Sequence, residues 1–240
     1  MKKLILTAAA LAFTSGAALA QDVVRLGTEG AYPPYNYIDD NGEVAGFERA
    51  LGDELCTRAE LTCEWVTNDW DSIIPNLLSG NYDAIIAGMS ITEERAQKVD
   101  FSENYTPPSY SSYAATSEDV DLETGVIAAQ TSTIQSQYVV DTGATLLEFP
   151  SFEDSLAAML SGEADAVFAD KDTIVPVVEE GTAIFVGEDV PLSVGIGMAF
   201  RKSDPELRET FDAAIVSMKE DGTLNEMIRE YLGEDSPVFE

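Results

Sequence analysis

Short apolar runs alternate with stretches of helix-spaced apolar positions along most of the chain. Residues 23–27 read as an opening strand, followed by a turn-rich segment over 28–34 and a strong turn at Asp39-Asp40-Asn41-Gly42. Phe47, Leu51 and Leu55, with Ala50 between them, mark one face of a helix, and residues 62–66 read as the next strand. Asp71 or Ser72 is the expected N-cap of a second helix, with Pro75 in the first turn where its missing N–H does no harm. Thr92, followed by Glu93 and Glu94, predicts another capped start with acids suited to the helix dipole. After breaks at Asp100-Phe101-Ser102 and Tyr105-Thr106-Pro107-Pro108, residues 110–115 are extended again.

The alternation then repeats. Strands are expected at 125–129, 145–149 and 166–169, with helices near 134–140 and 152–160 between them. Residues 194–201 form an extended run containing glycine, and 204–232 are mostly helical, with Phe211, Ile215, Met218, Leu224, Met227 and Ile228 as apolar positions. Two segments echo each other across the repeat: Leu78-Ser79-Gly80-Asn81-Tyr82-Asp83-Ala84 and Leu160-Ser161-Gly162-Glu163-Ala164-Asp165-Ala166. Each reads as a helix end, a glycine cap, a tight turn and a buried strand. Such spacing suits two similar α/β lobes rather than a solenoid. The expected organisation is 22–107 plus 199–240 for lobe I and 108–198 for lobe II, the first crossing falling near 106–109. Two crossings make a hinged, clam-shaped molecule with a ligand cleft between its lobes.

The N-terminus places the chain. Lys2-Lys3, an apolar stretch over 4–13 and Ala18-Leu19-Ala20 have the form of a cleaved signal peptide over 1–20. The stretch is short for a membrane span, and with no cysteine near the cleavage site no lipid-anchored form is expected. An exported protein, in a bacterial periplasm, is expected. The whole chain carries a net charge of −31; removing Lys2 and Lys3 leaves 11 cations against 44 acids, or −33. Nucleic acid is thereby excluded as a partner, because phosphate binding needs a basic surface. The acids read chiefly as a solvated coat suited to salty surroundings, with steering of cationic ligands as the competing reading. Cys56 and Cys63, seven positions apart in an oxidising compartment, are expected to form a structural disulfide. The chain has no histidine, which removes Ser–His and Cys–His catalysis and most zinc chemistry, so no metal or cofactor is expected.

Several segments together resemble the periplasmic polar-amino-acid-binding proteins of ABC importers (solute-binding proteins, family 3), most closely the histidine and lysine–arginine–ornithine binders. They are Gly27-Thr28-Glu29-Gly30-Ala31-Tyr32-Pro33-Pro34-Tyr35, Gly46-Phe47-Glu48, the cysteine pair, and Asp71-Ser72-Ile73-Ile74-Pro75. To these add Asp83-Ala84, Ser90-Ile91-Thr92-Glu93-Glu94-Arg95 and the tail Asp221-Gly222-Thr223-Leu224-Asn225. The likeness spans nearly the whole mature chain, and Ser-Ile-Thr-x-x-Arg is its most specific part. It implies the two-lobed type II periplasmic-binding-protein fold, a free amino acid as ligand, a membrane permease as partner and a monomer.

The resemblance also implies site residues. Arg95 matches the motif arginine, whose planar fork suits a carboxylate. Without the motif it would read as a helix-surface residue paired with Glu94 or Asp100. Asp170 stands where the family places an aspartate for the α-ammonium, at the C-terminal end of an expected strand; its competing reading is a cap for the segment starting at Lys171. Gly88 is the position whose backbone meets the ligand, Ser90 adds a hydroxyl, and Thr131, Ser132 and Thr133 fall where the second lobe offers donors to the carboxylate. Tyr32 and Trp70 match two aromatic walls, which attract cations. Glu29 lies where relatives carry an aspartate facing the far end of the ligand.

Aromatic walls with a carboxylate argue for arginine, lysine, ornithine or histidine. Glu29 is one methylene longer than the usual aspartate, Ala87-Gly88 replaces two serines and looks like the glutamine binders, and Ile134 replaces a glutamine. These departures bear on the exact ligand, and glutamine, another polar amino acid or an opine is the alternative. An enzyme on the same fold, of the cyclohexadienyl dehydratase kind, is the alternative of another class. A ligand-free, strongly pKa-raised Glu29 would favour that enzyme, and a Glu29 paired with a cationic side chain would favour the receptor.

Overall fold

A computed structural model describes residues 23–240; the expected signal peptide and its cleavage near Ala20 lie outside the described residues. Two five-stranded sheets form the centres of two lobes. The first runs, in spatial order, Cys63–Thr67, Val24–Thr28, Ala84–Ile85, Gly197–Phe200 and Asp100–Asn104. The second runs Thr145–Phe149, Val126–Gln130, Ala166–Asp170, Ser111–Ala115 and Ile184–Val190. In each sheet the first three strands are parallel and the fourth is antiparallel to both neighbours.

The echoed segments hold the same place in the two sheets. Helix Ile73–Leu78 ends at Ser79 and Gly80 (φ 82), and helix Phe152–Ser161 ends at Gly162 (φ 79), the left-handed conformation that glycine adopts without a Cβ clash. Ser151 starts the second of these helices, its side chain accepting from Asp154 N with two acids in the first turn. Each glycine leads into the third strand of its sheet. Both strands are wholly buried, and their C-terminal ends face the cleft, the ligand edge of such sheets.

The fourth strand of each sheet belongs to the crossings. The chain leaves the first sheet after Asn104 and joins the second as Ser111–Ala115; it returns after Val190 as Gly197–Phe200. The two crossings are bonded to one another, Tyr105 N donating to Ile196 O and Ile196 N to Thr106 Oγ1. They lie so close that a Cβ on Gly195 (φ 118) would meet Thr106 O at 2.7 Å. A small sheet of Ala31–Tyr32, Asn36–Ile38 and Val44–Ala45 projects from lobe I towards lobe II.

Other elements differ from the sequence pattern for local reasons. Residues 100–102, expected to break the pattern, are instead part of strand Asp100–Asn104, held by pairing with Gly197–Phe200 nearly a hundred residues later. Helix Lys171–Glu179 and strand Ile184–Val190 have no counterpart among the expected elements. The helix is short, rich in β-branched residues and carries Pro176; the strand is a mostly exposed edge with no apolar alternation and Gly187 at φ 71. The C-terminal helical region is two helices, Pro205–Asp221 and Thr223–Leu232, broken at Gly222 (φ 85). Ser72 occupies the N-cap position of its helix without a side-chain capping bond; its hydroxyl instead accepts from Asn68 Nδ2 and donates to Asp69 O.

Helix Phe47–Arg58 is tied to strand Cys63–Thr67 by the Cys56–Cys63 disulfide. Its buried face, Phe47, Leu51 and Leu55, packs with Leu26, Phe200, Phe211, Ile215 and Met218. The same apolar cluster reaches lobe II through Tyr32 and Tyr35 to Phe152, Val167, Ala169 and Ile174, so the lobes are in contact. No helix among the described residues is long and apolar enough to cross a membrane.

Candidate functional site

The C-terminal ends of the central strands meet across an interlobe pocket of about 290 Å³, its mouth included. Glu29, Tyr32, Trp70, Gly88, Ser90, Arg95, Thr133 and Asp170 line it, together with Ala87, Gln130, Ile134 and Gln135. Thr131 and Ser132 do not line this pocket; they border the adjoining groove that also touches Trp70 and Arg95.

Asp170 follows the buried strand Ala166–Asp170 and stands at the N-cap position of helix Lys171–Glu179, yet its side chain makes no capping bond. Instead it turns into the cleft. Tyr32 OH donates to one of its oxygens at 2.7 Å, and Gln135 Nε2 donates to the other at 3.0 Å. Burial pushes its pKa up to about 6; the Tyr32 bond opposes the rise, Asp172 adds to it, and Arg95 and Gln135 oppose it.

Arg95 sits on the short helix Glu93–Ala96, whose cap is Thr92 Oγ1, accepting from Arg95 N. Its terminal nitrogens donate to Ser90 O at 2.9 Å and Ser132 O at 3.2 Å, and the guanidinium lies 5.1 Å from the centre of the Trp70 ring. Burial lowers its pKa to about 10, so it stays charged at neutral pH, with Asp170 and Glu94 opposing the shift. Two N–H groups on each terminal nitrogen, less one bond each, leave one apiece for an incoming anion. The alternative of a surface pairing with Glu94 or Asp100 is not what the geometry shows: the guanidinium faces the cleft.

Glu29, at the end of the first strand, accepts from Gln130 Nε2 at 2.6 Å across the cleft, while the same amide donates to Pro150 O. Burial pushes Glu29 up to about 7; Gln130 opposes this, and Glu48 and Asp69 add to it. A carboxylate raised chiefly by desolvation, with neighbouring acids adding to it, is common to a receptor and an enzyme. It therefore does not decide between them.

Gly88 has φ +60, and a Cβ there would come within 3.3 Å of the Tyr32 ring. Its N–H donates at 2.6 Å to Glu48 Oε1, leaving its carbonyl available. Glu48 is wholly buried and also accepts from Asn36 Nδ2 and Tyr105 OH; burial raises its pKa. The Ser90 hydroxyl lies 3.3 Å from Ser193 Oγ on the return crossing. Thr133 caps helix Ile134–Thr142, accepting from Ser136 N and donating to Gln130 O, so its hydroxyl is already engaged.

Sequence reasoning missed Gln130, Gln135 and the role of Glu48. Gln130 was open to discovery, as a polar residue closing a buried strand next to the expected donors. Gln135, on a helix of mixed polarity, carried no such signal; only its burial against Asp170 and Ser111 reveals it.

Known proteins of the same shape exist. A solved structure of a periplasmic His/Glu/Gln/Arg/opine family-binding protein from Silicibacter pomeroyi, in complex with lysine, is 66% identical with a TM-score of 0.88, covering 90% of this chain and 100% of that one. The L-arginine-binding protein of Pseudomonas aeruginosa is 32% identical over 254 residues, covering 98% of each chain. An ancestral amino-acid-binding protein described as a precursor of cyclohexadienyl dehydratase is 28% identical with a TM-score of 0.79, covering 88% of this chain and 95% of that one. Residues 24–234 match the family pattern itself, and the chain belongs to the bacterial extracellular solute-binding proteins, family 3.

Proposed function

We propose that this protein is a non-enzymatic periplasmic receptor for a cationic amino acid, with lysine and arginine foremost and ornithine and histidine in the same class. The observation that carries the reading is the charge pattern of the pocket. Arg95, Asp170 and Glu29 line one pocket: Arg95 and Asp170 oppose each other's pKa shifts, while Glu29 has a separate bonding partner in Gln130. An α-carboxylate on the free N–H groups of Arg95 and an α-ammonium on Asp170 would direct the side chain to Glu29. The carbonyl of Gly88 and the hydroxyl of Ser90 would assist Asp170, and Tyr32 and Trp70 would wall the ligand. The 131–133 segment would offer backbone rather than hydroxyl donors, since the Thr133 hydroxyl is bonded elsewhere.

Ligand then joins groups from both lobes and stabilises their closure, because only contacts that differ between the open and closed forms shift that equilibrium. The moving bodies would be residues 22–107 with 199–240, and 108–198. The return boundary would shift to just before Gly197, because strand Gly197–Phe200 lies in the first sheet with Gly197 opposite Asn104. The closed form would dock, as a monomer, on the permease of an ABC importer. The relatives bound to lysine and named for arginine support the ligand class.

The test is a thermal-shift panel on unfolded and refolded protein, with the common amino acids, ornithine, citrulline and a prephenate-type acid. Ligand at 100 times its Kd adds about 2.7 kcal/mol, a rise of roughly 5–10 °C for a chain of this size. Shifts confined to cationic amino acids are expected. A response only to neutral ligands refutes the role of Glu29, and a response only to the prephenate-type acid refutes the receptor.

A further inference from the structure

The bonds Glu29–Gln130, Tyr32–Asp170 and Arg95–Ser132 O join the lobes, each through at least one pocket-lining side chain. The bond from Tyr35 OH to Asp172 Oδ2, at 2.9 Å, joins them elsewhere: neither residue lines the pocket. Tyr35 is fully buried in lobe I, stacked on Tyr32 at 6.0 Å and edge-on to Phe47 at 6.2 Å. Asp172 lies in the first turn of lobe II helix Lys171–Glu179. Its second oxygen is 3.2 Å from the hydroxyl of Ser236, which lies on the tail beyond the last lobe I helix.

That tail is itself held in place. Asn225 Nδ2 donates to Phe239 O, Phe239 N donates to Asn225 Oδ1, and Lys219 Nζ lies 4.4 Å from the Phe239 ring. Ser236 has one hydroxyl proton and two acceptors in reach, Leu232 O at 2.8 Å and Asp172, so Tyr35 is the firmer donor.

We propose that Tyr35, Asp172 and the Ser236 tail form a latch behind the pocket that sets how readily the lobes close, and so scales affinity for every ligand alike without touching any of them. This inference rests on the reading of the protein as a closing receptor. Opening the cleft would part lobe I from helix Lys171–Glu179 and break the Tyr35–Asp172 bond, so that bond contributes only to the closed form. A bias on closure multiplies all apparent affinities by one factor.

The experiment compares Tyr35→Phe, Asp172→Ala, their double variant and Ser236→Ala with wild type, by calorimetric titration of lysine and arginine and by stopped-flow dissociation. Phenylalanine keeps the ring packing, so the ligand-free melting temperature of Tyr35→Phe should stay close to that of wild type. Its Kd should rise roughly three- to tenfold, by the same factor for lysine and arginine, mostly through faster dissociation. The double variant should be little worse than the more affected single one, the signature of a shared interaction. Ser236→Ala should weaken binding by less, about twofold. Unchanged Kd and dissociation rate in Tyr35→Phe and Asp172→Ala, with a binding wild type, overturn the latch alone. Factors that differ between lysine and arginine also overturn it, since they place the effect inside the pocket. A wild type that binds no cationic amino acid overturns the receptor reading and the latch with it.

Discussion

Lowering the pH from 8 to 6 carries Glu29 through its pKa of about 7 in the ligand-free protein. If the cationic end of the ligand binds the carboxylate and not the acid, binding must expel this proton. The fraction with Glu29 ionised falls from about nine-tenths at pH 8 to about one-tenth at pH 6, so Glu29 alone lowers apparent affinity about tenfold over that interval, with levelling off above pH 8. Asp170, at about 6, begins to add a second proton between pH 7 and 6, costs about a further factor of two by pH 6, and steepens the slope below it. Calorimetry in two buffers of different ionisation enthalpy reads the protons directly: roughly 0.6 released at pH 7 and roughly 1.4 at pH 6, where Asp170 is itself half protonated. In Glu29→Gln the tenfold limb between pH 8 and 6 should vanish while the lower limb stays. The same titration acts on folding. A folded-state pKa above the ordinary 4.5 stabilises the ligand-free protein at acid pH, and that contribution is lost as pH climbs from about 4.5 to about 7. Glu29→Gln should therefore stabilise the ligand-free protein at pH 8, by on the order of 1–3 kcal/mol. Proton release near zero at pH 6, or an unchanged pH profile in Glu29→Gln, refutes the reasoning.

Three further outcomes are expected. Arg95→Lys replaces a planar fork by a point charge and should weaken binding by roughly 1.5–3 kcal/mol, read by titration with lysine; a loss below twofold would contradict the carboxylate role. Gly88→Ala forces a side chain into φ +60 and against the Tyr32 ring, and should cost about 1 kcal/mol or more of stability together with a loss of affinity. Denaturant unfolding and titration check the two effects. Replacing both Cys56 and Cys63 by serine removes the disulfide between a lobe I helix and strand, neither cysteine being in the pocket. Unfolding should then ease by about 2.5 kcal/mol on the loop-entropy estimate with Kd unchanged.

What could be read from the chain was what is local. The glycine caps at Gly80 and Gly162, the Thr92 cap and the helix face of Phe47, Leu51 and Leu55 each depend on residues a few positions apart, and they gave both lobes their alternation. Arg95 and Asp170 were legible because a family motif and the C-terminal end of a buried strand mark them. Helix Lys171–Glu179 was hidden by Pro176 and by β-branched residues that favour strands. Strand Ile184–Val190 exists because it pairs with Ser111–Ala115, about seventy residues earlier, not because of its own pattern. Glu48, Gln130 and Gln135 look like ordinary polar residues until burial and partners from distant segments give them meaning. Thr131 and Ser132 were legible only by residue type: the turn at Ser132 (φ 59), which sends its carbonyl to Arg95 and sets both residues in the groove beside the pocket, is a backbone feature that residue type does not announce.

The central claim is that Glu29 reads a positive charge at the far end of the ligand. Titrating refolded protein with arginine and then with citrulline, its neutral near-isostere, tests this with least interference from shape. Losing a charge-assisted bond to a buried carboxylate is worth roughly 1.5–3 kcal/mol, so arginine should bind at least about tenfold more tightly. Equal affinities, or tighter binding of citrulline, would contradict the account.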